Sequence, residues 1–329
     1  MNFRTSVDLP VDFPGVTHAE HLLALGSCFA ENIGGRLADA KFSIDLNPFG
    51  IVYNPLSVAQ VLREVIAKRS YGPDDLFFYN DCWHSRMHHG VFSSSSQEEA
   101  LRQINGRIET AHLNFPKTDW LMITLGTSYV YEERESGWIV SNCHKRPEKA
   151  FIRRRLSVDE VVETYREVLG DCFSRSSHLK VLFTVSPIRH LRDGLTANQL
   201  SKSVLLLAVD QLKTDFPDRV FYFPSYEIVN DELRDYRFYA DDMVHPSSLA
   251  VHYLWEQFST MAFSVETCRV IESIEEIRRA LAHKPFHPES ETYQRFIHQT
   301  DQKIEQLIHK YPNLDFQKEK ELCRIRLNR

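Results

Sequence analysis

A chain of 329 residues, 43% hydrophobic and 26% charged, has enough apolar residues to bury a substantial core in one large domain or two ordinary ones. Its formal net charge of −6, with Arg153-Arg154-Arg155 as the tightest basic run, gives no electrostatic reason for a nucleic-acid partner, and that run is expected to be a solvated turn ahead of a helix. No stretch approaches the roughly 18 apolar residues of a membrane span, MNFRTSVDLPVDFPG lacks the apolar segment of a secretory signal, and Cys28, Cys82, Cys143, Cys172, Cys268 and Cys323 are dispersed without a CxxC, so free thiols in a reducing, cytoplasmic setting are expected, with no membrane partner.

The chain alternates strand and helix signals. Leu22 to Leu25 is a short apolar strand that stops at Gly26, and Phe29, Ile33 and Leu37 then recur at helical spacing. Phe42 to Leu46 alternates like a strand and ends at Asn47-Pro48; Asn54 and Pro55 suit the cap and first position of a helix reaching about Lys68. Residues 76–92 suggest strands or loop. Ser96 and Glu99 are spaced as a capping box for a helix bearing Leu101, Ile104 and Ile108. Leu121 to Leu125 is a buried strand ending at Gly126, and an aromatic, turn-rich excursion (129–152) follows. Ser157 and Glu160 cap the next helix; Val181 to Val185 is a strand closed by Pro187; 197–215 is a helix; Val220 to Phe223 is a fifth strand; and a helix runs from about Ser247 to Phe263. Buried strands alternating with helices imply a parallel sheet covered on both faces, a three-layer, doubly wound, flavodoxin-like α/β fold of about five strands with its ligand site at the strands' carboxyl ends. Alternation stops near residue 265, so residues 1–265 are read as the α/β domain and 266–329 as a C-terminal helical appendage, carrying Ile271, Ile274, Ile277, Ile304, Leu307 and Ile308 at helical spacing.

Polar groups at strand ends carry the chemistry. Gly26-Ser27-Cys28 sits where the first strand enters the first helix; a nucleophile there gains a helix N-terminus that lowers a thiol pKa and backbone N–H groups that can hold an oxyanion. Gly50 and Gly126 follow later strands and offer N–H donors where a ligand can approach the backbone, with Ser128 able to add a hydroxyl. Asp242-Met243-Val244-His245 follows the last strand: a carboxylate three residues ahead of a histidine can hold Nδ1–H and leave Nε2 as a base. Arg189 and His190, just past the fourth strand, either clamp an anionic substrate group or bond loop carbonyls. Cys82, His84, His88 and His89 raise zinc, but their spacing matches no common closed site.

Leu25-Gly26-Ser27-Cys28-Phe29-Ala30 resembles the signature of the GSCFA family, as do Asn47-Pro48-Phe49-Gly50-Ile51, Asn142-Cys143-His144-Lys145, Ser186-Pro187-Ile188-Arg189-His190 and Asp242 to Ser247. The resemblance spans roughly residues 3–260 and implies kinship with the SGNH/GDSL hydrolases, which use a serine after the first strand, a glycine and an asparagine in the oxyanion hole, and an Asp-x-x-His pair near the C-terminus. It places Cys28 at the nucleophile position, with Ser27 the alternative, and puts Ser128 where the asparagine would stand, so Asn142 is a candidate substitute. It implies an acyl-ester hydrolase or O-acyltransferase acting through an acyl-enzyme on a small or saccharide ester, needing no cofactor, with homo-oligomerisation left open. The alternatives are a non-catalytic binding member of the fold and, behind it, a zinc-dependent hydrolase.

Overall fold

The computed structural model describes residues 4–327. In chain order its elements are β1 (His21–Gly26), α1 (Cys28–Asp39), β2 (Ser43–Leu46), α2 (Pro55–Ala67), β3 (Leu76–Tyr79), β4 (Cys82–Ser85), α3 (Gln97–Asn114), β5 (Thr118–Leu125), β6 (Tyr129–Glu133), β7 (Ile139–Val140), β8 (Phe151–Arg155), α4 (Val158–Arg175), β9 (Lys180–Val185), α5 (Leu195–Asp215), β10 (Val220–Tyr222), a single turn α6 (Ser225–Glu227), α7 (Ser248–Ala262), α8 (Val265–Ala282), α9 (Glu291–Lys310) and α10 (Gln317–Leu327). Five strands form one parallel sheet in the order β10-β9-β5-β1-β2. This is the expected doubly wound α/β architecture, and it brings the ends of β1, β5 and β9 to one edge.

Two cores explain why the strands read as unbroken apolar runs. Leu23, Leu25, Leu121, Ile123, Leu125, Val181 and Phe183 point to the face covered by α2 to α5. Their neighbours Leu22, Trp120 and Leu182 point to the other face, against Phe29, Ile33 and Leu37 of α1 and Leu254 and Phe258 of α7. A sheet buried on both sides leaves few polar positions in its central strands, here Thr124 and Thr184 near their carboxyl ends. The helix caps are local chemistry: Asn54 Oδ1 accepts from Ser57 N at 2.9 Å, and Ser157 and Glu160 form the reciprocal box. At Ser96 only half of the expected box forms: its hydroxyl accepts from Glu99 N, while the Glu99 carboxylate bonds Arg102 instead.

The excursion after β5 is a three-stranded antiparallel sheet, β7-β6-β8. The arginine run expected as a solvated turn is part of β8: Arg153 ion-pairs with the buried Asp193 carboxylate and lies 4.2 Å from the Tyr129 ring centre. A tyrosine wall and a buried partner draw this guanidinium inward, which the local sequence does not signal. All six cysteines are free, and among the described residues no helix is long and apolar enough to cross a membrane. The boundary expected near residue 265 falls at the start of α8. Helices α8 to α10 build a third core around Ile274, Ile277, Ile297, Ile304 and Phe316, while Ile271 reaches the α1–α7 core and ion pairs join Arg278 to Asp39 and Lys41 to Glu319.

One buried cation lies at the sheet edge. Lys202 of α5 is fully buried, and its Nζ donates to Gly126 O at 2.5 Å and to Ser186 O at 2.6 Å, tying the ends of β5 and β9. Burial pulls its ammonium down to about 7, and a neutral amine retains two N–H donors for the two carbonyls. Between about pH 7 and 10.5 the unfolded chain holds this proton while the folded chain does not, so stability rises with pH across that window. Lys202→Met should flatten the rise and leave the Ser186 carbonyl without its donor at a cost of about 1–3 kcal/mol. Urea unfolding of both proteins at pH 7 and 9.5 checks this; equal pH slopes would refute it.

Candidate active site

The mouth of β1 is shaped by close backbone approach. Gly26 has φ +142°, and a Cβ there would stand 2.3 Å from Thr124 O of β5, so only glycine fits. Ser27 is the N-cap of α1: its buried Oγ accepts from Phe29 N at 3.2 Å. Cys28 is the first helical residue and half-buried, and its N–H belongs to the first-turn group that has no carbonyl inside the helix. The thiol, however, is not primed as a standing thiolate. Burial, then the Glu31 carboxylate one turn along, push its pKa up, and these outweigh its own backbone N–H. The expectation of a thiol acidified by the helix N-terminus is thereby corrected.

Beyond β10, residues 239–247 fold into a tight loop. Ala240 N donates to His245 O and Met243 N to Ala240 O, with Met243 turned into the left-handed region at φ 57°. Asp242 uses both oxygens. Oδ1 accepts from Val244 N at 2.9 Å and His245 N at 3.0 Å, and Oδ2 meets His245 Nδ1 at 2.6 Å. The backbone N–H of His245, then that of Val244, then the ring hold the carboxyl down at about 2. With Nδ1–H engaged, Nε2 carries the lone pair, which is the orientation the Asp-x-x-His spacing predicts.

Arg189 supports this loop: its N–H donates to Val244 O at 3.3 Å and its guanidinium lies 3.9 Å from the Tyr239 ring centre. His190 is anchored by Asn198 Oδ1 on its N–H, and its ring lies 5.7 Å from that of Tyr53. Burial, then Lys202 and Arg153, hold that ring down at about 4, with His245 near enough to contribute. Tyr53, its phenol pushed up by burial and then by Tyr131, Cys143 and Cys28, links the thiol to this cluster. Cys28, Tyr53, His190 and His245 thus share one electrostatic neighbourhood at the carboxyl edge, with Arg153 beside it. Sequence patterns assigned no place in this site to Tyr53, Arg153 or Lys202, whose partners are remote in the chain.

The proposed oxyanion donors fare differently. Gly50 N is given to Asn47 O at 2.8 Å and Gly126 N to Tyr53 O at 2.7 Å, so both N–H groups are committed inside the fold. At Gly50 the glycine is required for another reason: φ is +74° and a Cβ would lie 2.3 Å from that of His89. Ser128 is fully buried with its hydroxyl on Ser201 Oγ, facing α5. Asn142 closes a turn, Oδ1 accepting from His144 N, and Cys143 beside it acts on Tyr53. Asn47, unremarked as a donor, places Oδ1 on Gly26 N at 2.9 Å, leaving its buried Nδ2 without a partner among the described residues.

The histidines near Cys82 have other employment. His84 bonds Ser93 Oγ and Tyr79 O; His88 bonds Ser85 Oγ, stacks on Phe49 and is held at about 3 by burial; His89 accepts from Val91 N. Among the described residues no three His, Cys, Asp or Glu side chains converge to hold a metal ion.

In comparison with known proteins, residues 21–258 match the GSCFA family and residues 274–329 match the GSCFA domain protein, C-terminal domain. No relative was found among curated protein sequences. Among solved structures the chain is similar to a carbohydrate esterase family 3 protein from Talaromyces cellulolyticus at 12% identity and a TM-score of 0.35, over 78% of this chain and 99% of that one; a score that low does not align the two sites.

The thiol environments predict a labelling profile. Only thiolate reacts with iodoacetamide, so the rate at Cys28 should keep climbing as pH passes 9 rather than level off below 7, and Cys143, pushed up to about 11, should lag behind it. Mass spectrometry of peptides alkylated between pH 6 and 10 reads both. A plateau for Cys28 below pH 7 would show a thiolate that this environment does not explain.

Proposed function

On the premise that the chain belongs to the GSCFA family, we propose that it is an acyl-ester hydrolase or O-acyltransferase that works through a covalent acyl-enzyme on a small or carbohydrate-like substrate. The observation that carries this reading is the Asp242–His245 pair, a carboxylate-oriented imidazole whose charge reaches His190, which lies against the Tyr53 ring that the Cys28 thiol influences. Cys28 Sγ attacks the acyl carbonyl while His245 Nε2 takes the thiol proton. Since the thiol is protonated at neutral pH, attack and proton removal are coupled, which is the task of a general base. The tetrahedral oxyanion receives the Cys28 N–H at the helix N-terminus, with a side-chain amide, Asn142 or Asn47, as the second donor. Collapse breaks the ester C–O bond, and the leaving oxygen takes the proton back from His245. Water or an acceptor hydroxyl, deprotonated by His245, then attacks the thioester and releases Cys28. Arg189 keeps the loop of the acid–base pair in place, and neutral His190 offers a hydrogen bond within the cleft.

Burst kinetics with 4-nitrophenyl acetate test this. The wild-type chain should release a stoichiometric pulse of nitrophenolate; Cys28→Ala should abolish it, and His245→Ala should slow acylation by about 10²- to 10⁴-fold. Asp242→Ala/His245→Ala should fall little below His245→Ala, since the two act as one unit. Ser27→Ala should keep near-normal turnover and lose only a helix cap, about 0.5–2 kcal/mol of stability. A pulse that survives Cys28→Ala and vanishes in Ser27→Ala would move the nucleophile by one residue, and the absence of any pulse would favour the binding-module reading.

A further inference from the structure

A groove of about 680 Å³ runs along α1 between α7 and α8, within the roughly 300–1,000 Å³ of small-molecule sites. Its walls begin beside the catalytic cleft. Glu31, whose charge reaches the Cys28 thiol, lines it, as do Pro246 and Ser248, which follow His245 in the chain. From there the lining follows one face of α1: residues 31 and 32, 35 and 36, then 39 recur at intervals of three to four from Cys28. Residue 39 lies about 12 Å along the helix axis from residue 31. On the far side the groove meets Glu275 and Arg278 of α8, so the C-terminal helices form part of its wall.

The lining defines what fits. Trp255 and Val251 make a buried apolar floor. Above it stand carboxylates that only accept (Glu31, Glu275 and Asp39), guanidiniums that only donate (Arg36 and Arg278, the latter paired with Asp39), an amide that does both (Asn32) and a hydroxyl (Ser248). Both charge signs occur along its length, so a ligand of one sign meets repulsion somewhere, and an apolar chain would strand the charged rim. A ligand with many neutral groups that each donate and accept meets a partner at every position. Gly35 opens the middle: a Cβ there would have nothing within 4 Å.

We propose that this groove binds an extended neutral polyhydroxyl chain, an oligosaccharide, whose esterified unit lies at Cys28. The proposal rests on the esterase reading for the chemistry at the cleft, but the binding itself does not need catalysis. It also gives the C-terminal helices a part in substrate recognition, through Glu275 and Arg278.

The experiment is calorimetric titration of the full chain with neutral, unesterified hexasaccharides of gluco, xylo and manno configuration, alongside turnover of 4-nitrophenyl acetate. At least one hexasaccharide should bind. Gly35→Phe, which fills open space on an exposed helix face, and Asn32→Ala/Glu275→Ala should each weaken it tenfold or more while 4-nitrophenyl acetate turnover stays within twofold. Glu275→Gln, in the otherwise wild-type chain, should retain most of the affinity. No binding by any of the three hexasaccharides at millimolar concentration, or binding unaltered in both groove variants, overturns the proposal. Binding that the variants abolish in a chain without esterase activity keeps the groove and refutes the reaction instead.

Discussion

The peptide unit at Gly126 holds the carboxyl edge of the sheet together. Its N–H is taken by Tyr53 O, its carbonyl receives the Lys202 amine and faces the His190 ring, and the space where a side chain would sit is closed by Tyr53, 3.1 Å from the position of a Cβ. Through Lys202 the same knot takes in Ser186 O at the end of β9. Three connections, those following β2, β5 and β9, are therefore joined to α5 at one place. A buried polar group costs about 1–3 kcal/mol when left alone, so no single member can swing out without stranding the others. The cleft above inherits that rigidity.

Within the cleft, identical side chains are set to different tasks by their surroundings. His245 is half exposed and held by a carboxylate, the environment of a proton acceptor. His190 is enclosed beside an amine and a guanidinium, so it stays neutral and serves as a hydrogen-bonding wall. Burial and Glu31 favour the protonated form of the Cys28 thiol, so in the proposed reaction the work of activation falls to the base. A resting thiolate would invite oxidation, to which a protonated thiol is less open.

The sheet was legible in the sequence because its information is local and repeated: five apolar runs, each followed by a capped helix. The Asp242–His245 pair was legible for the same reason, since carboxylate and ring lie three residues apart and the bond forms within one loop. The oxyanion assignments at Gly50 and Gly126 failed because a glycine after a strand reveals permitted backbone angles and not where its N–H goes. At Gly50 the N–H is claimed by a carbonyl three residues earlier, and at Gly126 by Tyr53. Lys202 and Asp193 were invisible because each becomes meaningful only against partners from other elements; Lys202 reaches a carbonyl 76 residues away. Within the basic run of β8, Arg153 was expected in solvent because of its charge, whereas a tyrosine wall and a buried carboxylate receive it.

The arrangement of strands also bears on self-association. A sheet recruits foreign chains through long, unpaired outer strands. Here the five-stranded sheet ends in β10, three residues long, and β2, four, and Arg107 sits across β2, engaging the Asp45 carboxylate and Leu46 O. The smaller antiparallel sheet ends in two-residue β7 on one side and, on the other, in β8, which reads Phe-Ile-Arg-Arg-Arg. Each of these four borders is short, plugged, or studded with positive charge. The longer, strongly apolar strands that would seed a fibril lie in the middle, where the fold keeps them out of circulation.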